Sequence, residues 1–273
     1  MPKHIFIQKT VMTDFIYKEL LKATKHEIAL AKDENKKEVP LPEKGAKVIK
    51  DLEELGYHII PEFYSQEKCN KVIDEIKRAH KEHKERIWLD SVESDHRLFG
   101  ANVVSELISE FYLDPFIKGI TTFFERTSKY HGFTMAADMV YKELNPGSGQ
   151  GWHRDRADRR QLKVILYLTD VDENCGPFQY FEGSHTPTSI LQSVLLHGFR
   201  YNQNRFKDEE IEKLDQNYLR TAVGKAGTLL IADVRGIHRG MPMLEGRRII
   251  LMNYTWPHKI PKHIKKLMIK END

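Results

Sequence analysis

Hydrophobic residues recur at helical spacing through the first half of the chain and gather into short runs in the second. Near the N-terminus Thr13-Asp14 can cap a helix that Phe15, Ile16, Leu20, Ile28 and Ala31 continue at roughly helical intervals. Residues 32–44 are charged and carry Pro40 and Pro42, the composition of a linker. A short helix ending near Leu55-Gly56 leads into a strand over Tyr57-His58-Ile59-Ile60, which Pro61 stops. Ser65 opens a helix with Cys69, Val72, Ile73, Ile76 and Ala79 on one stripe, whose end, residues 80–86, is almost wholly polar and reads as a solvated face. A helical stretch over 101–112 precedes Asp114-Pro115, an N-cap with proline at the first helical position, which starts a helix through Phe116, Ile117, Ile120 and Phe124.

From there the pattern changes. Residues 133–144, 162–169, 178–181, 228–233 and 248–256 are short, β-rich runs bounded by Gly, Pro, Asn and Asp. Helices first and strands afterwards predict an α+β fold, with a β-sandwich or double-sheet jelly roll as its core and the N-terminal helices packed outside. The boundaries read as a helical extension over 1–50, a main domain over 51–258 (helical over 51–130, jelly roll over 131–258) and a basic tail over 259–273. The tail sets Lys259, Lys262, Lys265, Lys266 and Lys270 among Ile260, Ile264, Leu267, Met268 and Ile269. Such an amphipathic end caps a fold or touches a membrane surface.

Composition narrows the class. With 40% hydrophobic residues, including 13 Phe and 11 Tyr, there is apolar mass for a core. The charge of +3, from 43 basic against 40 acidic residues, is too small to imply nucleic-acid binding. Cys69 and Cys175 form no Cys-x-x-Cys pair, so neither a disulfide framework nor structural zinc is expected. Met-Pro-Lys-His-Ile-Phe lacks the apolar core of a signal peptide, and no run approaches the roughly 18 apolar residues of a membrane span. The expectation is a soluble, cytoplasmic protein, with the tail its one candidate for peripheral membrane contact.

The chemistry gathers at Gly151-Trp152-His153-Arg154-Asp155, just after the turn Asn145-Pro146-Gly147-Ser148-Gly149. Side chains at i and i+2 of an extended segment share a face, so His153 and Asp155 can reach one metal while Arg154 points away. A non-haem Fe(II) site needs two imidazoles and one carboxylate. His-Arg-Asp also opens the protein-kinase catalytic loop, but that loop needs an Asn where Arg160 stands, and no Gly-rich phosphate loop precedes it. His80, His83, His96 and His258 lie in polar, helix-like or tail contexts. His238 differs: it follows the apolar strand 227–233, and Arg247-Arg248 opens the next strand one hairpin later. That spacing suits a third metal ligand, followed by an arginine whose planar fork grips the far carboxylate of a dicarboxylate co-substrate. A zinc hydrolase could use the same triad but leaves the arginine unexplained.

The series His153-x-Asp155, then Tyr167-Leu168-Thr169-Asp170 through Asn174-Cys175-Gly176-Pro177-Phe178 to Glu182-Gly183-Ser184-His185, then His238 and Arg247, resembles the phytanoyl-CoA dioxygenase family over roughly 52–256. The resemblance implies a double-stranded β-helix (cupin-like jelly roll), Fe(II) on His153, Asp155 and His238, and 2-oxoglutarate as co-substrate with O₂. It further implies hydroxylation of an unactivated C–H bond with release of succinate and CO₂, the carboxylate at Asp155 favouring hydroxylation over halogenation. Two positions depart from the family pattern. Where the family often has its arginine stands Ile249; aligning backwards from Tyr254 puts Arg247 in the anchor place, with Arg248 as fallback. The family's serine two positions after the distal histidine is Gly240, and Tyr167, which shares a face with Lys163 and Ile165, is either its replacement or a core tyrosine.

The substrate is less legible. The insertion between His185 and Lys225, with Arg200 in it, could form a lid. Arg154, Arg156, Arg159 and Arg160 flank one motif and Arg235 and Arg239 the other, either as surface charges or as a cradle for an anionic substrate. Arg154, Arg156, Arg200 and Arg239 are the candidate substrate residues, and the substrate classes are a sugar acid, a phosphorylated or acyl compound, or a glycolipid. Jelly rolls also serve as non-catalytic metal- or ligand-binding modules, which remains the alternative.

Overall fold

Every residue of β5 (Leu162–Tyr167) and of β8 (Leu229–Asp233) is buried. Strands with no polar face belong inside a sheet covered on both sides, and these two pair antiparallel within one. The computed structural model describes residues 14–22, 25, 40–127, 130–256 and 259–269. Its larger, seven-stranded sheet runs in the order β1 (Tyr57–Ile60), β8, β5, β10 (Arg247–Trp256), β4 (His131–Val140), β3 (Asp95–Phe99) and β2 (Trp88–Leu89). A smaller sheet orders β7 (Leu219–Ala222), β6 (Phe178–Phe181) and β9 (His238–Gly240).

Alternation gives each long strand two tasks. Val164, Leu166, Ile231, Ile249 and Leu251 pack with residues of α2 (Gly45–Glu54), α3 (Gln66–Glu82), α4 (Glu106–Leu113) and α5 (Pro115–Glu125). Ile165, Tyr167, Leu230, Ile250 and Met252 pack instead with Phe178 and Tyr180 of the smaller sheet. The result is the jelly roll with outer helices that the pattern predicts. Residues 14–22 are helical (α1); Phe15 packs near Ile190, Val194 and Tyr201, and the Glu19 carboxylate accepts the Tyr201 N–H at 2.7 Å. Ile28, Ala31, residues 32–39 of the linker, His258 and Lys270 lie outside the described residues.

The helix starts follow their caps. Ser65 accepts the Lys68 N–H, and Asp114 accepts both Phe116 and Ile117 N–H ahead of Pro115. The helix expected over 101–112 begins only at Glu106, because Ser105 accepts the Ile108 N–H and leaves 101–103 as a single 3-10 turn. Strands β2 and β3 are not predicted by the pattern: Asp95-His96-Arg97 reads as polar surface, yet Asp95 is buried in an ion pair with Arg97.

The tail packs against the fold. Ile264, Leu267 and Met268 lie on the inner core, Ile269 is buried, and its N–H bonds Phe99 O at 3.0 Å. The apolar residues that would enter a membrane are thereby in contact with protein. Among the described residues no helix is long and apolar enough to cross a membrane.

Glu125 ties the C-terminal end of α5 to the sheet, accepting the Leu162 N–H at 2.9 Å and the Thr255 hydroxyl at 2.7 Å. Its second oxygen has no partner, and burial pushes the carboxyl from 4.5 up to about 7. The folded protein therefore holds this proton to higher pH than the unfolded chain. Stability from this group is full below about pH 4.5 and falls as pH rises through about 7, by about 3 kcal/mol. Glu125→Gln is expected to flatten that decline when urea unfolding is followed across the same range; an unchanged pH dependence would exclude Glu125 as its source.

Candidate metal centre

A reciprocal pair of backbone hydrogen bonds joins β9 to the segment after Gly151: His153 N–H to His238 O at 2.9 Å, and His238 N–H to His153 O at 2.8 Å. The two imidazoles consequently stand together, ring centres 4.2 Å apart. Each Nδ1 lies 2.9 Å from the carbonyl oxygen two residues back, that of Gly151 or Gly236. A carbonyl only accepts, so Nδ1 carries the proton and Nε2 keeps its lone pair. Asp155 follows with its N–H on Val234 O at 3.0 Å. One ligand atom from each of His153, Asp155 and His238 lies within 4.8 Å of the others. Two imidazoles and one carboxylate are the donor set of a facial Fe(II) site.

Two structural devices deliver His238. Asp233, fully buried, holds the Arg235 guanidinium through both oxygens and fixes the turn after β8. Ser184 accepts the Ile237 N–H at 2.8 Å and donates to Phe181 O, which gives the Gly183-Ser184-His185 turn a structural role.

The electrostatics suit a cation. Burial lowers the His153 imidazole to about 4, with Lys163 adding to the effect, and burial beside His153 and Lys163 holds His238 well below its ordinary value. Both rings are thus neutral at neutral pH, the form that binds metal. Burial would raise the Asp155 carboxyl, but the Lys163 ammonium and the two imidazoles outweigh it, and Asp155 is held well below the usual carboxylate range.

Two spaces open from the triad. A slot of about 40 Å³ runs between the sheets past Lys163, Ile165, Tyr167 and Ser148 to Arg248. A cavity of about 700 Å³ opens on the other side, with Arg154, Arg156, Arg159, Arg205, Lys259 and Trp256 among its lining. Among the described residues, Asp155 is the only carboxylate in that lining.

The two candidate anchor arginines lie on opposite faces of β10, and only Arg248 lines the slot. Arg247 lies on the outer face of β10, its side chain 46% exposed and paired with Asp138. Arg248 shares the inner face with Ile250 and Met252; it is buried, its Nε has no partner, and no carboxylate bonds it among the described residues. Tyr167 lines the slot, but its hydroxyl donates to Ala222 O at 3.0 Å and accepts the Phe178 N–H at 3.1 Å. Its one proton is therefore already committed. A Cβ on Gly240 would fall 2.6 Å from Ser148 Cβ, so the Ser148 side chain fills the space of a serine at 240.

The candidate substrate arginines separate. Arg154 and Arg156 line the cavity. Arg154 is buried over the Phe206 ring, and burial lowers its guanidinium to about 10. Arg156 is held by Asp158. Arg200 is exposed on a turn and absent from the cavity lining. Arg239 faces away because it neighbours His238 on a strand; it stacks over Trp152 and donates to Gln179. The insertion is pinned rather than loose: Arg154 N–H bonds Asn204 O and Phe206 N–H bonds Trp152 O, each at 3.1 Å. Arg97, Ser148 and Lys163 belong to the site although motif spacing does not single them out; for Lys163 the shared face with Tyr167 is the available signal.

The family profile described as phytanoyl-CoA dioxygenase (PhyH) matches residues 52–246. Curated proteins give no match. Solved structures of similar fold include the epimerase SnoN in complex with Fe3+, alpha ketoglutarate and nogalamycin RO, with a TM-score of 0.60 at 16% identity over 81% of this chain and 88% of that one. HygX from Streptomyces hygroscopicus, with nickel and 2-oxoglutarate bound, gives 0.57 at 13% identity over 80% and 89%. The non-heme alpha ketoglutarate dependent carbocyclase SnoK from nogalamycin biosynthesis gives 0.54 at 15% over 81% and 90%. At these identities the likeness is one of fold.

Proposed function

Because the chain belongs to the phytanoyl-CoA dioxygenase family, enzymes that use Fe(II), 2-oxoglutarate and O₂, we propose that it hydroxylates a C–H bond of an anionic small molecule. The observation that carries this reading is the convergence of His153, Asp155 and His238 beside a slot that ends at Arg248. Bound by the triad, Fe(II) would supply open coordination positions for O₂ and for the 2-oxo acid, which leaves as succinate and CO₂. The residues do the rest. The Nδ1 hydrogen bonds hold both imidazoles in one tautomer and orientation. Arg248 takes the far carboxylate of 2-oxoglutarate, with the Ser148 hydroxyl beside it. The slot admits a short chain and leaves the substrate to the larger cavity.

An anionic substrate is supported by that cavity's lining, where seven Lys and Arg side chains, Arg154, Arg205 and Lys259 among them and Arg156 paired with Asp158, face one lining carboxylate among the described residues, Asp155. Tyr254 and Trp256, stacked at 5.8 Å, add an apolar wall suited to the carbon skeleton of a sugar acid or acyl compound.

Anaerobic titration of the apoprotein with Fe(II) and then 2-oxoglutarate tests the reading. A weak visible charge-transfer band is expected, and its loss in His238→Ala. Iron binding without a band would favour a non-catalytic module. An epimerase and a carbocyclase share the fold, so the product is weighed as well: hydroxylation adds one oxygen atom.

A further inference from the structure

Lys163 stands where the slot and the cavity meet and lines both. It projects from the inner face of β5 and is buried. Its Nζ lies 3.0 Å from one Asp155 carboxylate oxygen, 2.8 Å from the other, and 3.3 Å from His238 Nε2. The ammonium thus bonds the same lone pairs that a metal on His153, Asp155 and His238 would need. A divalent ion at ordinary ligand distances of about 2.0–2.2 Å would meet this second cation within a few ångströms in a buried site, where like charges repel strongly. The lysine side chain can answer by turning, because it carries a compact point charge on a flexible stem. Away from the triad it meets Arg97 and Arg248 along the slot and Arg154, Arg156, Arg159 and Arg205 in the cavity, so among the described residues no carboxylate other than Asp155 faces it from the lining of either space. The anion that can receive it arrives with the co-substrate.

Resting on the metal-centre reading above, we infer that Lys163 is an exchangeable counter-ion. It neutralises Asp155 and engages His238 until a divalent ion binds, and then turns to a carboxylate of 2-oxoglutarate. Metal and co-substrate binding are coupled through that exchange. Arg248 and Lys163 then hold opposite ends of the dicarboxylate, the arginine at the closed end of the slot and the lysine at the triad.

Mn(II), which needs no protection from air, is the probe: its affinity is measured by the EPR signal of the free ion, with and without 2-oxoglutarate, for the full-length wild type and Lys163→Met. The variant is expected to bind Mn(II) alone about tenfold tighter or more, since the competing cation is gone. The factor by which 2-oxoglutarate strengthens Mn(II) binding is expected to shrink by about fivefold or more. Equal or weaker Mn(II) affinity in the folded variant overturns the exchange. Should Lys163→Met not fold, Lys163→Gln carries the same comparison with the same criterion. His238→Ala is titrated alongside: if it binds Mn(II) as the wild type does, the metal-centre reading falls and the exchange with it, whereas loss of binding there with no gain in the Lys163 variant rejects the exchange alone.

Discussion

Asp155→Ala is expected to lower 2-oxoglutarate turnover, followed as succinate, by at least about a thousandfold, or some 4 kcal/mol in the barrier. The substitution removes the one anionic donor of the triad and leaves two neutral imidazoles to hold a divalent ion. It also strips the buried Lys163 ammonium of its hydrogen-bonded carboxylate, so that a like charge remains beside any ion that enters. The same loss predicts a stability cost of about 1–3 kcal/mol, moderated because the Asp155 side chain is partly open to solvent. Far-ultraviolet circular dichroism therefore accompanies the assay to show that the variant is folded. Succinate formation at the wild-type rate in folded Asp155→Ala would remove the triad from the reaction.

Arg248→Met is expected to raise the 2-oxoglutarate KM by about a hundredfold or more while leaving metal affinity nearly unchanged. A buried guanidinium meeting a carboxylate in the slot forms a charge-assisted pair out of water, and truncating one partner of such a pair costs about 2–5 kcal/mol. Methionine keeps most of the volume against Met139 and Ile250, so packing changes little. Arg247→Ala is the matched control. Its pair with Asp138 is solvent-exposed, worth at most about 1 kcal/mol, and its loss should leave KM where it was. A KM raised by Arg247→Ala and untouched by Arg248→Met would return the anchor to the position that alignment from Tyr254 favours.

That pair of arginines shows how legible the site was. His153 and Asp155 could be placed together from spacing alone, since one alternation rule decides it. The same rule, run back from Tyr254 through Met252 and Ile250, reaches Arg248, whereas alignment from Tyr254 favours Arg247, which the parity of the strand turns to the opposite face. The face of Tyr167 is legible from alternation, but whether its hydroxyl is free depends on Ala222 and Phe178, which only the folded sheets bring to it. Ser148 was hidden for a similar reason: only the approach of two loops shows its side chain in the space beside Gly240. β3 is hidden because a buried ion pair, Asp95 with Arg97, looks in sequence like solvent-exposed charge. The tail's amphipathic pattern is plain in the sequence, yet the pattern cannot say whether its apolar side meets lipid or, as here, Phe99 and the inner core.

The position of β10 has a consequence for how the chain comes into being. This strand is the last long one to be synthesised, yet it lies between β5 and β4, pairing with both along much of its length. Until residues 247–256 have left the ribosome, β4 and β5 have no common neighbour, and the large sheet exists only as two unjoined halves with exposed edges. Completion of the large sheet thus waits on residues 247–256, and its long-range pairings place it among slow folders. A polypeptide that stops just before Arg247 would lose the middle of its sheet rather than a dispensable edge, although His153, Asp155 and His238 would all be present in it.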